Sequence, residues 1–177
     1  MKWLQYQGPL ILCDEALLPF WGGVSNVGGI AGEGDDNWIA GLPSDYGRAC
    51  QASGWIDMLP VGGGQVAVLW GEPLSTTVHR LSSGAWVIAR CYYASGDTAL
   101  FARLREVRED IFSEDEEKTI TFPSGYAHLF EGGLPGLLSR RNEIVIPIKE
   151  RKYNILTIEY NPDKEISMVL HLLKEKK

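Results

Sequence analysis

Three histidines, three cysteines and one glycine-rich stretch are the residues of this 177-residue chain whose types could do chemistry. His79, His128 and His171 stand singly, on or beside runs of strand-like alternation, and no two have the spacing of metal ligands. A histidine in that setting reads as a packing residue. Cys13, Cys50 and Cys91 lie in apolar runs, which predicts buried, protonated thiols. They are odd in number and show no CxxC spacing, so they fit neither a disulfide framework nor a zinc site, and reduced cysteines are expected. A Cys nucleophile with a histidine from elsewhere in the chain would make a hydrolase, the weakest reading of the residues. The run GGVSNVGGIAGEG (22–34) has neither the Lys-Ser/Thr of a P-loop nor GxGxxG after a buried strand. Asp35-Asp36-Asn37 opens no calcium loop, because no closing Glu follows at the right distance. Ser82-Ser83-Gly84 is a turn without nucleophile-elbow context. No catalytic residue, metal or cofactor is expected.

The elements around these residues are mostly short β-rich runs bounded by Gly and Pro, at the spacing of an antiparallel architecture. Strands are expected near 2–6, 9–13, 55–61, 65–70, 76–81, 85–93, 119–122, 126–130, 143–148, 153–160 and 167–173. Val61-Gly62-Gly63-Gly64-Gln65 supplies the positive-φ residues of a tight hairpin, and Asn161-Pro162-Asp163-Lys164 turns a second one. One helix over 97–111 is read from Leu100, Leu104, Val107 and Ile111, with Asp97 as its cap. Shorter helical turns are expected at 14–20 and at 44–53, the second capped by Ser44 and closed by Gly54. The stretch 22–42 reads as a long surface loop. The fold class is thus α+β and mainly antiparallel sheet, in one domain spanning 1–177. A weak echo between 56–81 and 143–173, anchored by Pro60 and Pro147, and by His79 and His171, predicts two pseudo-repeated β halves. These would be 1–96 and 119–177, joined by the helical segment 97–118.

Hydrophobic residues make up 45% and charged residues 23%, with six Trp and seven Tyr, which is enough to offset the entropy of ordering the chain. No apolar run reaches the roughly 20 residues of a membrane helix, and the amino terminus lacks a secretion signal, so a cytoplasmic protein with no membrane partner is expected. The net charge of −6 disfavours a phosphate-backbone binder and favours a basic partner. Residues 97–118 alone hold eight acids. Such a run is usually a solvated connection, but beside a helix face it is also how an inhibitor would meet a cationic protein.

MKWLQYQGPLILCDEALLPFW at the start, DYGRAC at 45–50 and IDMLPVGGGQVAVLWGEPLSTT at 56–77 together resemble the immunity protein 21 family, predicted antidotes encoded beside bacterial polymorphic toxins. The residues that carry the resemblance are Trp3, Gly8, Pro9, Trp21, Asp45, Tyr46, Arg48, Cys50, Pro60, Gly62, Glu72 and Pro73. It covers the first 95 residues well and the rest in outline, with Gly47 replacing the second acid of a DYDRAC pattern. What it implies is a non-enzymatic protein that neutralises a cognate toxin by stoichiometric binding. The motif residues themselves read as structural, with Trp3 and Trp21 filling core and Arg48 tying Asp45 or a carbonyl. The contacts expected for a basic, nuclease-like toxin are Asp35, Asp36 and Trp38 on the long loop, and Glu106, Glu109, Asp110, Glu114, Asp115, Glu116 and Glu117. The expected state is a monomer or weak dimer. The rival reading is a small-molecule or peptide-binding β module with a pocket lined by Trp38, Trp55, Trp70 and Trp86.

Overall fold

The computed structural model describes residues 2–5, 8–24, 44–71, 74–112, 117–149 and 151–176. The described residues form ten strands in two five-stranded antiparallel sheets, as the α+β reading expects: β1 (Leu10–Asp14), β2 (Ile56–Val61), β3 (Gly64–Leu69), β4 (Ser75–Arg80), β5 (Trp86–Ala94), β6 (Lys118–Thr121), β7 (Tyr126–Glu131), β8 (Glu143–Pro147), β9 (Lys152–Tyr160) and β10 (Ile166–Glu175). One sheet has the order β2-β3-β1-β7-β8 and the other β4-β5-β10-β9-β6. The expected strand at 2–6 is reduced to a bridge between Leu4 and Thr76. Two compact units result, one from residues 1–5, 74–119 and 152–177, the other from 6–73 and 120–151.

In the first unit, α2 (Asp97–Glu106) lays Leu100 and Leu104 on a sheet face made by Val87, Ala89, Leu156, Met168, Leu170 and Leu172. Full burial of each such side chain contributes on the order of 1.5–3 kcal/mol. Arg103 on this helix holds Asp163 in the β9–β10 turn at 2.8 and 2.9 Å. The helix is shorter than its apolar spacing predicts. Val107 is already extended (ψ 130°), and after a 3-10 turn at Glu109–Ile111 it is Phe112 that is buried, while Ile111 stays 42% exposed. Breaking at a β-branched residue lets the larger aromatic reach the core. Nor does Asp97 cap the helix: Gly96 occupies that position and Asp97 sits in the first turn, where its charge still suits the helix dipole.

The same sheet buries two cation-forming side chains on its other face. His171, 0% exposed, shares a 2.8 Å hydrogen bond between its Nδ1 and the Thr157 hydroxyl. Burial and the nearby Arg90 guanidinium push its pKa well below 6.5. An unfolded chain takes up a proton there as pH falls below 6.5 while the folded chain does not, so this contribution to stability is complete above pH 6.5 and is lost below it. Denaturant midpoints between pH 6.5 and 5.5 should therefore fall for the native chain, by up to about 1.4 kcal/mol per pH unit for one proton. His171→Gln should flatten that slope, and an unchanged slope would contradict the assignment.

The second unit is built around β1, the central strand of its sheet, paired with β3 and β7. Ile11, Cys13, Val66, Val68 and Phe130 on one face are covered by Leu18, Trp21 and Ala49. Leu18 belongs to a 3-10 turn, Glu15–Phe20, and Ala49 to α1 (Asp45–Ala49). Both short helical turns are where the residues predict them. Ser44 caps α1 through its hydroxyl, but α1 closes at Cys50, so Gly54 lies beyond its end. The β2–β3 hairpin turns through Gly62 (φ 57°) and Gly63 (φ 82°), as a tight reversal requires.

The echo between 56–81 and 143–173 does not mark equivalent hairpins. In the first segment the leading two strands, β2 and β3, pair with each other, whereas in the second it is the trailing two, β9 and β10. Strands from 1–96 and from 119–177 are mixed in both sheets. Pro60 and Pro147 match for a simpler reason: each lies in an outer strand of one sheet, where a missing N–H costs no ladder hydrogen bond.

Candidate functional site

The residues that carry the family resemblance make a connected scaffold in the second unit. Asp45, at the start of α1, accepts a hydrogen bond from the Gly22 amide (2.8 Å) and an ion pair from Arg48, which also donates to the Pro60 carbonyl at 3.1 Å. Arg48 thus ties both an acid and a carbonyl across the helix. Trp21, 1% exposed, donates its indole N–H to the Gly132 carbonyl (2.9 Å) and meets Phe130 edge-on at 6.5 Å. A side chain at Gly8 would run into the Tyr46 hydroxyl, and one at Gly62 into the Phe20 ring. Burial and Cys50 raise the Tyr46 phenol to about 12. Trp3 packs at 6.1 Å from Phe101 in the first unit. Glu72 and Pro73 lie outside the described residues.

Towards the β8 edge the cover over this sheet face ends in a cup of about 220 Å³ lined by Glu15, Tyr126, His128, Arg140, Glu143 and Val145. Strand alternation puts Tyr126 and His128 on the face of Phe130, with Val145 opposite His128 and Glu143 opposite Phe130 on β8. His128 Nδ1 lies 2.7 Å from Glu143 Oε2, and both side chains are buried. A carboxylate at that distance requires a proton on Nδ1, and Nε2, also buried, has no hydrogen-bond partner. Glu15 is positioned by Asp14, a buried carboxylate that accepts from Ala16 N at 2.8 Å, from Ser124 N at 2.9 Å and from the Ser124 hydroxyl at 2.7 Å. Arg140 rides on a 3-10 turn, Ser139–Arg141, fixed by Ser139 donating to the Gly136 carbonyl at 2.7 Å, and reaches Glu15 at 3.6 Å.

Cys13 stands opposite His128 on β1, so cysteine, histidine and glutamate do meet here. They are not arranged as a nucleophilic site. Burial, reinforced by Asp14 and Glu143, pushes the Cys13 thiol up, and the ring nitrogen that would take its proton bonds nothing. Burial raises Cys50 and Cys91 as well.

Four of the ten predicted contact residues are among the described residues. Asp35, Asp36, Trp38, Glu114, Asp115 and Glu116 lie outside the described residues. Glu106, Glu109, Asp110 and Glu117 belong to the first unit, and three of them sit beside cations: Glu106 at 2.9 Å from Arg103, Asp110 at 3.0 Å from Arg108, and Glu117 at 3.8 Å from Lys176. Of the tryptophans of the rival pocket, Trp38 lies outside the described residues. Trp55 and Trp70 are in the second unit and Trp86, with Arg80 over its ring at 5.5 Å, is in the first. Residue types alone overlooked the cup, because 14 residues separate His128 from Glu143 and only the β7–β8 register joins them.

The family described as immunity protein 21 matches residues 2–166. The chain belongs to the immunity protein 21 family. Such a family implies neutralisation of a toxin by a protein that is itself not an enzyme, in keeping with the inert Cys13 and His128 arrangement. No curated protein and no solved structure matches the chain. Among the described residues no helix is long and apolar enough to cross a membrane.

Proposed function

We propose that this immunity protein neutralises one cognate toxin by binding it stoichiometrically in the cytoplasm of the cell that makes both. The family match over 2–166 carries this reading. The charge distribution supports it. The unit formed by 6–73 and 120–151 holds eleven acidic and five basic residues, net −6, while the other holds twelve of each, net zero. An excess of that size on one unit attracts a basic toxin and speeds its encounter. Free thiols at Cys13, Cys50 and Cys91 suit a reducing compartment. Asp35 and Asp36, outside the described residues, add to the acidic excess by sequence and are proposed to contribute to steering. Glu106, Asp110 and Glu117, each beside a cation, contribute less than their number suggests. Co-expression with the toxin encoded by the adjacent gene tests the reading: survival together with a co-purified one-to-one complex is expected. Survival without any complex would point to another route and overturn it.

A further inference from the structure

We infer that the cup lined by His128, Glu143, Glu15, Arg140, Tyr126 and Val145 is the anchor site for a cationic side chain, Lys or Arg, of the cognate toxin. This rests on the toxin-neutralising reading above and adds where and by what chemistry the toxin is held.

Three independent observations bear on this cup. Charge comes first: by sequence the unit that carries the cup has the whole net charge of the chain, with five of its eleven acids outside the described residues. The second is apolar exposure. Among the described residues seven of the ten large exposed hydrophobic side chains lie on this unit, and they include Tyr126 and Val145 in the cup, with Leu138 beside Arg140. Leu138 is 65% exposed on a backbone pinned by its bond to the Pro135 carbonyl at 2.9 Å, so it is presented to solvent by a fixed turn. Apolar exposure rimmed by charges, on rigid backbone, is how protein interfaces are built. The third is the polar floor. Glu15 and Glu143 line the cup with carboxylates, and His128 has a buried ring nitrogen, Nε2, without a hydrogen-bond partner. A lysine or arginine head supplies donors, while its aliphatic stem packs on Val145 and its charge lies near the Tyr126 ring. An incoming carboxylate would face the two carboxylates Glu15 and Glu143, with Arg140, beside Glu15, to receive it. Arg140, 3.6 Å from Glu15 and itself exposed, competes with the guest for that acid.

The test uses the full chain and the purified toxin domain encoded by the adjacent gene, with Kd and association rate measured at low and high salt. Val145→Arg should weaken binding at least a hundredfold. Glu15→Lys should weaken it at least tenfold, largely through slower association, and reduce the salt dependence. Arg140→Gln should leave Kd unchanged or tighten it. Tyr93→Arg, at an equally exposed aromatic on the other unit, should change Kd by less than twofold. Should Val145→Arg fail to fold, Glu15→Lys, at a half-exposed surface position, decides alone. Native Kd in folded Val145→Arg and Glu15→Lys, with an intact native complex, overturns the anchor site and leaves the toxin-neutralising reading standing. Tightening by Glu15→Lys and weakening by Arg140→Gln would reveal an acidic guest and equally overturn it. Absence of any complex with the native chain overturns both.

Discussion

Trp21→Ala should lower the stability of the unit that contains it by about 3–5 kcal/mol, the range for emptying a large aromatic site in a core. Trp21 is 1% exposed in the same core cluster as Leu18 and Ala49, and the surrounding backbone cannot collapse far. Gly136 donates to the Trp21 carbonyl at 2.9 Å, and a Cβ at Gly136 would sit 2.4 Å from the Leu18 carbonyl, so the chains on either side are already in close contact. The substitution also strands the Gly132 carbonyl and removes an edge-on ring pair worth about 0.5–1.5 kcal/mol. Trp21→Phe keeps most of the volume and should cost less than half as much. Urea midpoints of the two variants read the difference, and equal losses would mean that the indole hydrogen bond, rather than the filled volume, dominates.

Asp45→Ala should cost about 2–3 kcal/mol, because one buried carboxylate serves two partners. It accepts from the Gly22 amide, which orients the chain entering the 22–44 stretch, and it pairs with Arg48, which in turn holds the Pro60 carbonyl of β2. The ion pair adds little by itself, since the Arg48 side chain is 37% exposed and water screens it. Most of the loss comes from the Gly22 N–H left without an acceptor. Asp45→Asn, which keeps an acceptor oxygen, should recover about half, and thermal unfolding of the three proteins side by side checks this. A substitution at Asp45 without effect on stability would remove the structural role assigned to the DYGRAC segment.

Local order was legible in the residues and pairing over distance was not. The β2–β3 turn could be read because Gly62 and Gly63 are needed at positive φ, and the β9–β10 turn because Asn161-Pro162-Asp163 cannot extend a strand. That β1 would lie between β3 and β7, joined to them across long stretches of chain, has no local signature. Apolar spacing carried the α2 helix too far, since spacing registers Ile111 without showing that Phe112 competes for the same burial. The proline echo looked like a repeat because two outer strands of one sheet obey the same hydrogen-bonding rule. At the candidate site the histidine was visible and its partner was not. Alternation placed His128 inward on β7, but only the 3-10 turn at 139–141 and the β8 register decide that Glu143, rather than a neutral side chain, meets it. Counting acids along the chain pointed to 97–118, yet the unit that holds this stretch has twelve acids and twelve bases by sequence, and the net −6 falls on the other.

The most direct test of the central claim is a titration of the purified toxin's activity with increasing amounts of this protein at concentrations well above Kd. Stoichiometric neutralisation predicts a linear fall reaching zero at one molecule of protein per toxin, unaffected by alkylation of the partly buried Cys50 and Cys91 thiols. Loss of toxin activity at a small fraction of one equivalent, progressing with time, would mean turnover and contradict it.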